Sequence, residues 1–417
     1  MATGQVDSAR LKGVGSGGLI REDVMNKIFD ISKIPLPFTD MIGSESSDNE
    51  YKEWTIDKLA PPNTANAVVD GSDAGAQDDT QLGKRVGNHH QISTKVVAVS
   101  FRANASNVIG RTKETAYQIS RRQQELRRDV EAIALSNLPS VADTGAGGTA
   151  GKVGGLPSWL ATNHFGAGTG SQNGGFESSS PNGTAGTKLT YARTVGTQGV
   201  LTETNVRNAA QAAYNQGGEV SILMSTPAVI RKFSEYLFTA NQASGARVAQ
   251  NVNYIDNNKK QQVATGSINV FVSDFGTLRF VPNRLQPTHV DSAAAIAVTS
   301  MVVGNWYTIT TLAGSSNAQW LAAGDKPFTG TAAAGDTFQC TAVGVGTGQV
   351  KNACADVFFL DPEYVSLCFL QSYRSELLAK TGLSEKWQMS VDYSLIVNNE
   401  AAHAIIGDVN MNGTVTF

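Results

Sequence analysis

Apolar residues along this chain recur mostly at a spacing of two, in short runs set between glycine-rich stretches, and one long segment departs from that rhythm. Arg111 to Leu135 holds neither proline nor glycine and consists largely of strong helix formers. Its apolar positions Ala116, Ile119, Leu126, Val130 and Ile133 step by three, four or seven, which predicts a helix with a narrow apolar stripe. At about 1.5 Å per residue the rod is roughly 36 Å long. A lone, charged helix of this kind suits a flat architectural or self-assembling protein better than an enzyme core.

Before the rod, residues 1 to about 45 combine Gly13, Gly15, Gly17 and Gly18 with a short helix over Arg21 to Ile31 and the stiff Pro35-Leu36-Pro37, predicting an extended arm. Residues 50–58 and 91–101 read as two strands of a protruding ribbon. The long loop between them carries Pro61, Pro62, Gly71, Asp73, Gly75, Asp78 and Asp79, too polar to form a core of its own, so its partners lie elsewhere.

After the rod, residues 139–189 are rich in glycine, serine, threonine and asparagine and predict a surface loop pinned by Trp159 within Leu156–Leu160. A helix from Glu203 to Tyr214 stops at Gly217-Gly218, a strand runs from Ser221 to Met224, and Pro227 opens a second helix. Residues 267–273 and 277–281 flank Asp274-Phe275-Gly276 as a hairpin. Charged residues nearly vanish from 286 to 352, which predicts a small all-β module inserted between the strands TLRFV and DVFFL of one interrupted sheet. Trp387, Met389, Val391, Tyr393, Leu395 and Val397 alternate with mostly polar residues in the longest strand pattern, whose apolar face matches the stripe of the rod.

Composition bounds the function. With 41% hydrophobic and 17% charged residues, the chain is globular, neither disordered nor membranous, and its length predicts two or three interleaved subdomains. A net charge of -3 supplies no general basic field for a phosphate backbone. No signal-like segment opens the sequence, so synthesis for a cytoplasm is expected. Cys340, Cys354 and Cys368 have no zinc-like or redox spacing and are expected as unpaired thiols in or near strands.

Motif matches fail in context. Gly13, Gly15 and Gly18 fit a dinucleotide fingerprint, but no buried strand precedes them. Gly145 to Lys152 imitates a phosphate loop with glycine spacing one residue too long and Val153 where a magnesium-binding hydroxyl belongs. His89 and His90, adjacent on a strand, point to opposite faces and are expected at the surface without a metal role. No nucleophile elbow or Cys–His neighbourhood appears, so no catalytic, cofactor or metal residues are assigned. The strongest basic feature is Arg121-Arg122 with Arg127-Arg128, either a solvated helix face offset by Glu125, Asp129 and Glu131 or a set of salt bridges to another subunit. Asp70, Asp73, Asp78 and Asp79 are its natural acidic counterpart. Together with Trp54, these arginines and aspartates are the candidate subunit-interface residues.

The order of parts, with the segments EWTIDKLAPPN, RVGNHHQISTK, AYQISRRQQELRRDVEAI, GLPSWLATN, VFVSDFGTLRFVPNR, DVFFLDPEYVSLCFL and Glu376 to Lys380, resembles the Hong Kong 97-type major capsid protein of tailed double-stranded DNA bacteriophages. The resemblance covers most of residues 20–408 except 286–352. It implies an α+β capsid fold divided into an N-terminal arm (1–45), an extended β-ribbon loop (46–103), a peripheral domain with the spine helix and the glycine-rich loop (104–200 and 371–417), an axial domain (201–285 and 353–370) and an inserted all-β domain (286–352). It further implies a non-enzymatic subunit that forms hexamers and pentamers of an icosahedral head around double-stranded DNA, without sequence-specific binding and without a membrane. A portal and scaffold or decoration proteins would be its partners, with assembly in the host bacterial cytoplasm and residence in the virion. VVGNWYTITTLAG and GDTFQCTAVGVGTGQV look like a β repeat found on phage structural proteins, which implies an outward knob.

Overall fold

A computed structural model describes residues 25, 27, 28, 35–73, 75, 82–235, 270–325, 330–380 and 382–412. Of the arm predicted over residues 1–45, residues 35–45 are described, with Leu36 and Phe38 buried, whereas most of the rest, including the helix at Arg21 to Ile31 apart from Met25, Lys27 and Ile28, lies outside the described residues. The described residues gather into two compact units, one built on residues 94–126 and 375–389, the other on 35–93, 127–374 and 390–412.

The chain begins with β1 (Gly43–Ser46), β2 (Tyr51–Ile56), β3 (Lys84–His89) and β4 (Gln91–Ser100). β2 pairs antiparallel with β3, from Tyr51 opposite His89 to Ile56 opposite Lys84. This corrects the expected pairing of 50–58 with 91–101: β4 instead joins a sheet in the order β1-β16-β17-β4, where β16 spans Val365–Leu377 and β17 Ser384–Val397. KRVGNH looks unlike a strand because its buried side chains, Val86 and Asn88, are separated by glycine and flanked by charge. In the smaller unit Ser100 caps the short helix α1 (Phe101–Ala105) by accepting the Ala103 N–H, and the Lys380 ammonium sits 5.2 Å from the centre of the Phe101 ring.

The rod is α2 (Glu114–Ala134). Its stripe holds in the second half, where Leu126, Val130 and Ala134 are buried, but Ala116 is exposed and Ile119 and Ile133 only half-buried. Glu131, expected among the solvated charges, is fully buried. Its carboxylate accepts the backbone N–H of Phe38 at 2.9 Å and of Thr39 at 2.8 Å, and the Asn283 side-chain amide at 2.7 Å.

The larger unit is centred on a ten-stranded sheet. β5 (His164–Gly166) comes first, followed after the small pair β6 (Gly175–Phe176) and β7 (Thr190–Tyr191) by helix α3 (Glu203–Asn215), β8 (Ile222–Ser225), helix α4 (Pro227–Glu235), β9 (Val270–Ser273) and β10 (Gly276–Pro282). Then come β11 (His289–Val290), β12 (Ile296–Ala297), β13 (Trp306–Thr311), helix α5 (Asn317–Ala323), β14 (Thr337–Gln339), β15 (Gln349–Leu360) and, last, β18 (Ala404–Asn410). The main path is β14-β13-β15-β8-β10-β9, with β11, β12 and β18 also on β15 and β5 on β18. β18 therefore joins a sheet with β8 and β15, drawing together segments that the sequence assigned to separate domains.

Thr202 caps α3 through the Asn205 N–H, and the predicted stop comes at Gly217, whose positive φ favours glycine. Val206, Ala209, Ala210 and Ala213 on α3 and Val229 and Phe233 on α4 pack against Leu223, Leu278, Phe280, Val357 and Phe359 of the sheet. The predicted hairpin at Asp274 to Gly276 forms between β9 and β10. Residues 139–189 depart from the expected surface loop, since Val153, Leu156, Trp159 and Leu160 are all buried and β5 belongs to the sheet. The 286–352 segment is not all-β either. The capped helix α5 sets Trp320 and Ala323 into a separate cluster with Tyr307, Ile309, Phe338 and Val350. The three cysteines are free and buried.

Candidate assembly surface

The β2–β3 ribbon is anchored at its base by two side chains. Trp54 on β2 donates its indole N–H to the Val397 carbonyl at 3.0 Å, and its ring lies 5.2 Å from that of Trp159, which stacks on Phe176. Asn88 on β3 is wholly buried, donates to the carbonyls of Gly154 and Leu395 at 3.1 and 2.8 Å, and accepts the Gly154 N–H at 2.9 Å. Trp54 thus makes its described polar contact within its own chain.

Beyond this base the described residues of the loop are exposed. Leu59 is 92% exposed and Leu82 89%, and Val68 and Val69 are almost as open. Asp70 and Asp73 lie exposed on the same loop, whereas Asp78 and Asp79 fall outside the described residues. Four large apolar side chains left in water on a polar loop form a surface that burial against another protein would stabilise.

Of the four helix arginines, Arg121 and Arg122 both pair with Glu125, Arg121 at 3.6 Å; Arg121 is exposed and Arg122 half-buried. The Arg127 guanidinium lies over the Tyr373 ring at 5.4 Å, and Arg128 is half-buried. Such helix pairs hold charge loosely, each worth about 0.3–0.5 kcal/mol, so the guanidinium groups stay open to other carboxylates.

The strongest electrostatic feature is interior and was not anticipated. Arg193 is buried between Asp356 and Asp408, with which it forms ion pairs, the latter at 3.0 Å, and His289 Nε2 lies 2.8 Å from Asp356. Burial alone would raise the Asp356 carboxyl, but Arg193 and His289 outweigh it and hold the group well below the usual carboxylate range. Asp408, at φ +61°, also accepts the Gly196 N–H at 2.9 Å. The legible signal was a lone Asp inside each of the apolar runs DVFFL and IIGDVN, since a charge there needs a partner. The cluster ties β15, β18 and the 190–196 segment together and is a structural clamp.

His89 and His90, expected at the surface, are half-buried and buried respectively, and with Glu50, Asp143 and Asp392 they line a cavity of about 320 Å³. Among the described residues no three His, Cys, Asp or Glu side chains converge so as to hold a metal ion, and no helix is long and apolar enough to cross a membrane.

A family model described as SU10 major capsid protein matches residues 3–312 and 350–410 and passes over 313–349. The major capsid protein of Escherichia phage Phieco32 is 38% identical over 113 residues, which make up 27% of this chain and 31% of that relative, so the match spans about a third of the relative's length. Among solved structures, the capsid of a native GTA particle superposes with a TM-score of 0.50 at 10% identity, covering 96% of this chain and 99% of that one. A structure from Mycobacterium phage Cain has a TM-score of 0.49 at 9% identity, with 98% and 100% covered. At such low identity the GTA capsid superposition speaks for the fold alone, the Hong Kong 97-type capsid fold with its mixed sheets and long helix. With nearly the whole chain matched by the family model, the protein belongs to the SU10 major capsid protein family.

Proposed function

We propose that many copies of this chain associate as hexamers and pentamers to build an icosahedral phage head around double-stranded DNA. The observation that carries this reading beyond family membership is the ribbon loop, clamped at its base and carrying Leu59, Val68, Val69 and Leu82 into solvent. Such a loop gains by lying on a neighbour. Asp70, Asp73, Asp78 and Asp79 would meet basic groups there, and Arg121, Arg122, Arg127 and Arg128 are the candidates that the chain itself offers. The role is structural. A net charge of -3 favours enclosure of the DNA over sequence-specific gripping, and a portal and scaffold or decoration proteins would complete the head in the bacterial cytoplasm.

Residues 286–352 are proposed as an inserted domain projecting outward. Their own apolar cluster and the family model's omission of 313–349 both support a part added to a shared scaffold. Negative-stain microscopy and sedimentation of the purified chain test the main reading: closed shells or capsomers are expected. Tubes or flat arrays would redirect it to another phage structural or surface-array subunit, and a strictly monomeric chain under assembly conditions would overturn it.

A further inference from the structure

The cavity beside β2–β3 has a chemical character of its own. Its walls combine the apolar Ile92, Ala150 and Leu370 with Glu50, Asp143, Asp392 and the two histidines, and contain no lysine or arginine. The His90 backbone N–H donates to the Glu50 carbonyl at 2.9 Å, and the ring Nδ1 lies 3.0 Å from the same oxygen. Because a carbonyl oxygen can only accept, Nδ1 carries the proton, and Nε2 of the neutral ring is left as an acceptor. Burial holds His90 below its ordinary pKa and so keeps it neutral, while burial pushes the Asp392 carboxyl above its own.

His90 Nε2 and Asp392 Oδ1 are both buried without a hydrogen-bond partner, on residues only 7% and 9% exposed. Two acceptors thus sit in one cavity wall without a donor, an arrangement that carries the desolvation penalty of unpaired polar groups. Two cations act on these groups without lining the cavity. Lys52 donates to the Ser46 carbonyl and the Arg374 Nε to Ser390 Oγ.

We propose that this cavity is a socket for a lysine or arginine side chain from a second copy of the chain, a proposal that rests on the shell-forming reading above. A long basic side chain fits both halves of the site. Its aliphatic stem would lie against Ile92 and Leu370, and its N–H donors would reach His90 Nε2, Asp392 and the exposed carboxylates of Glu50 and Asp143. A metal ion fits less well, because no three ligating side chains converge here. Charge complementarity points to another copy, whose Arg121 and Arg127 are exposed on the helix surface and held, among the described residues, only by a helix ion pair to Glu125 and by the Tyr373 ring, respectively.

The test is assembly of the full-length chain with Asp392→Asn and, separately, Asp143→Asn, followed by sedimentation over a range of protein and salt concentrations. Loss of a desolvated charge partner should raise the concentration needed for assembly by roughly tenfold for Asp392→Asn and by less for the rim variant, while the thermal midpoint of the unassembled chain stays at the wild-type value. A cryo-EM map of wild-type shells should show a neighbour's Lys or Arg within hydrogen-bond distance of Asp392. Wild-type shells with the cavity filled by solvent alone, or assembly lost in EDTA and restored by a divalent metal, would overturn the socket while leaving the shell reading intact. A wild-type chain that forms no oligomer overturns both.

Discussion

Glu131 shows how a single residue can set the shape of its surroundings. It sits on the inner side of α2, where burial pushes its carboxyl above the ordinary value, and three N–H donors from Phe38, Thr39 and Asn283 pull the other way. Those donors belong to the turn before β1 and to the end of β10, so one carboxylate fixes two segments distant in sequence on the helix. Glu131→Ala leaves all three donors buried without an acceptor and should cost about 2–4 kcal/mol, with Glu131→Gln costing less because one amide oxygen remains. Denaturant unfolding of the unassembled chain measures both.

Two histidines give the same chain a pH dependence. His403, fully buried with Nδ1 accepting the Asp361 N–H at 3.2 Å, is held down to about 4 by burial, and His164 to about 4 by burial and then by Arg193. A folded-state value below the unfolded one of about 6.5 means that the unfolded chain takes up the proton first as pH falls. Their contribution is therefore complete above about pH 6.5 and is lost progressively towards pH 4, at up to roughly 1.4 kcal/mol per pH unit for each fully buried ring. His164, less deeply buried, should contribute less. His403→Leu should give a shallower loss of stability between pH 6.5 and 5 than wild type, whatever its stability at pH 7. An unchanged slope would remove His403 as a source.

At the scale of elements, the exposed arginines of α2 offer the sharpest test of the proposed interface. Because Arg121 and Arg122 both pair with Glu125, charge reversal would also set three acidic residues together and weaken the helix. Arg121→Gln with Arg122→Gln avoids that and should change stability by less than about 1 kcal/mol, the worth of two helix pairs. If these groups meet a neighbour, light scattering should show slower and more salt-tolerant assembly; kinetics identical to wild type would rule them out. What the sequence made legible divides by element in a similar way. α2, α3, α4, the β9–β10 hairpin and β17 announced themselves because periodicity, caps and turn residues agreed within each. β3 did not, since its strand character comes from Asn88 and Val86 meeting distant groups rather than from alternation. The Arg193 clamp was equally hidden: lone charges such as Asp356 and Asp408 in apolar runs call for a partner, but that shared partner is supplied only by the fold. Of the candidate surface, the loop composition and the basic helix were visible, while the cavity lined by Glu50, His90, Asp143 and Asp392 draws on four separate stretches of chain.

For the whole molecule, the question is whether residues 286–352 are scaffold or addition. The sheet answers in part through where the excursion leaves and returns. β11 pairs with β15 at His289 opposite Cys354 and Val290 opposite Ala353, and the Asp291 N–H donates to the Asn352 carbonyl at 3.0 Å. The two ends of the segment are therefore already neighbours, and a short turn can join them with little added closure entropy. Asp291 itself must stay, since its carboxylate accepts the Gln198 N–H at 3.2 Å. Everything from Tyr307 to Phe338 that builds the second apolar cluster lies beyond that neck. Replacing residues 294–350 with a two- to four-residue glycine-asparagine turn should remove one cooperative cluster and leave β15 on β8 and β18. Such a chain should assemble into shells of wild-type diameter, with the microscope showing density lost from one face alone. Failure to form shells, with the shortened chain still folded by circular dichroism, would make the segment part of the scaffold.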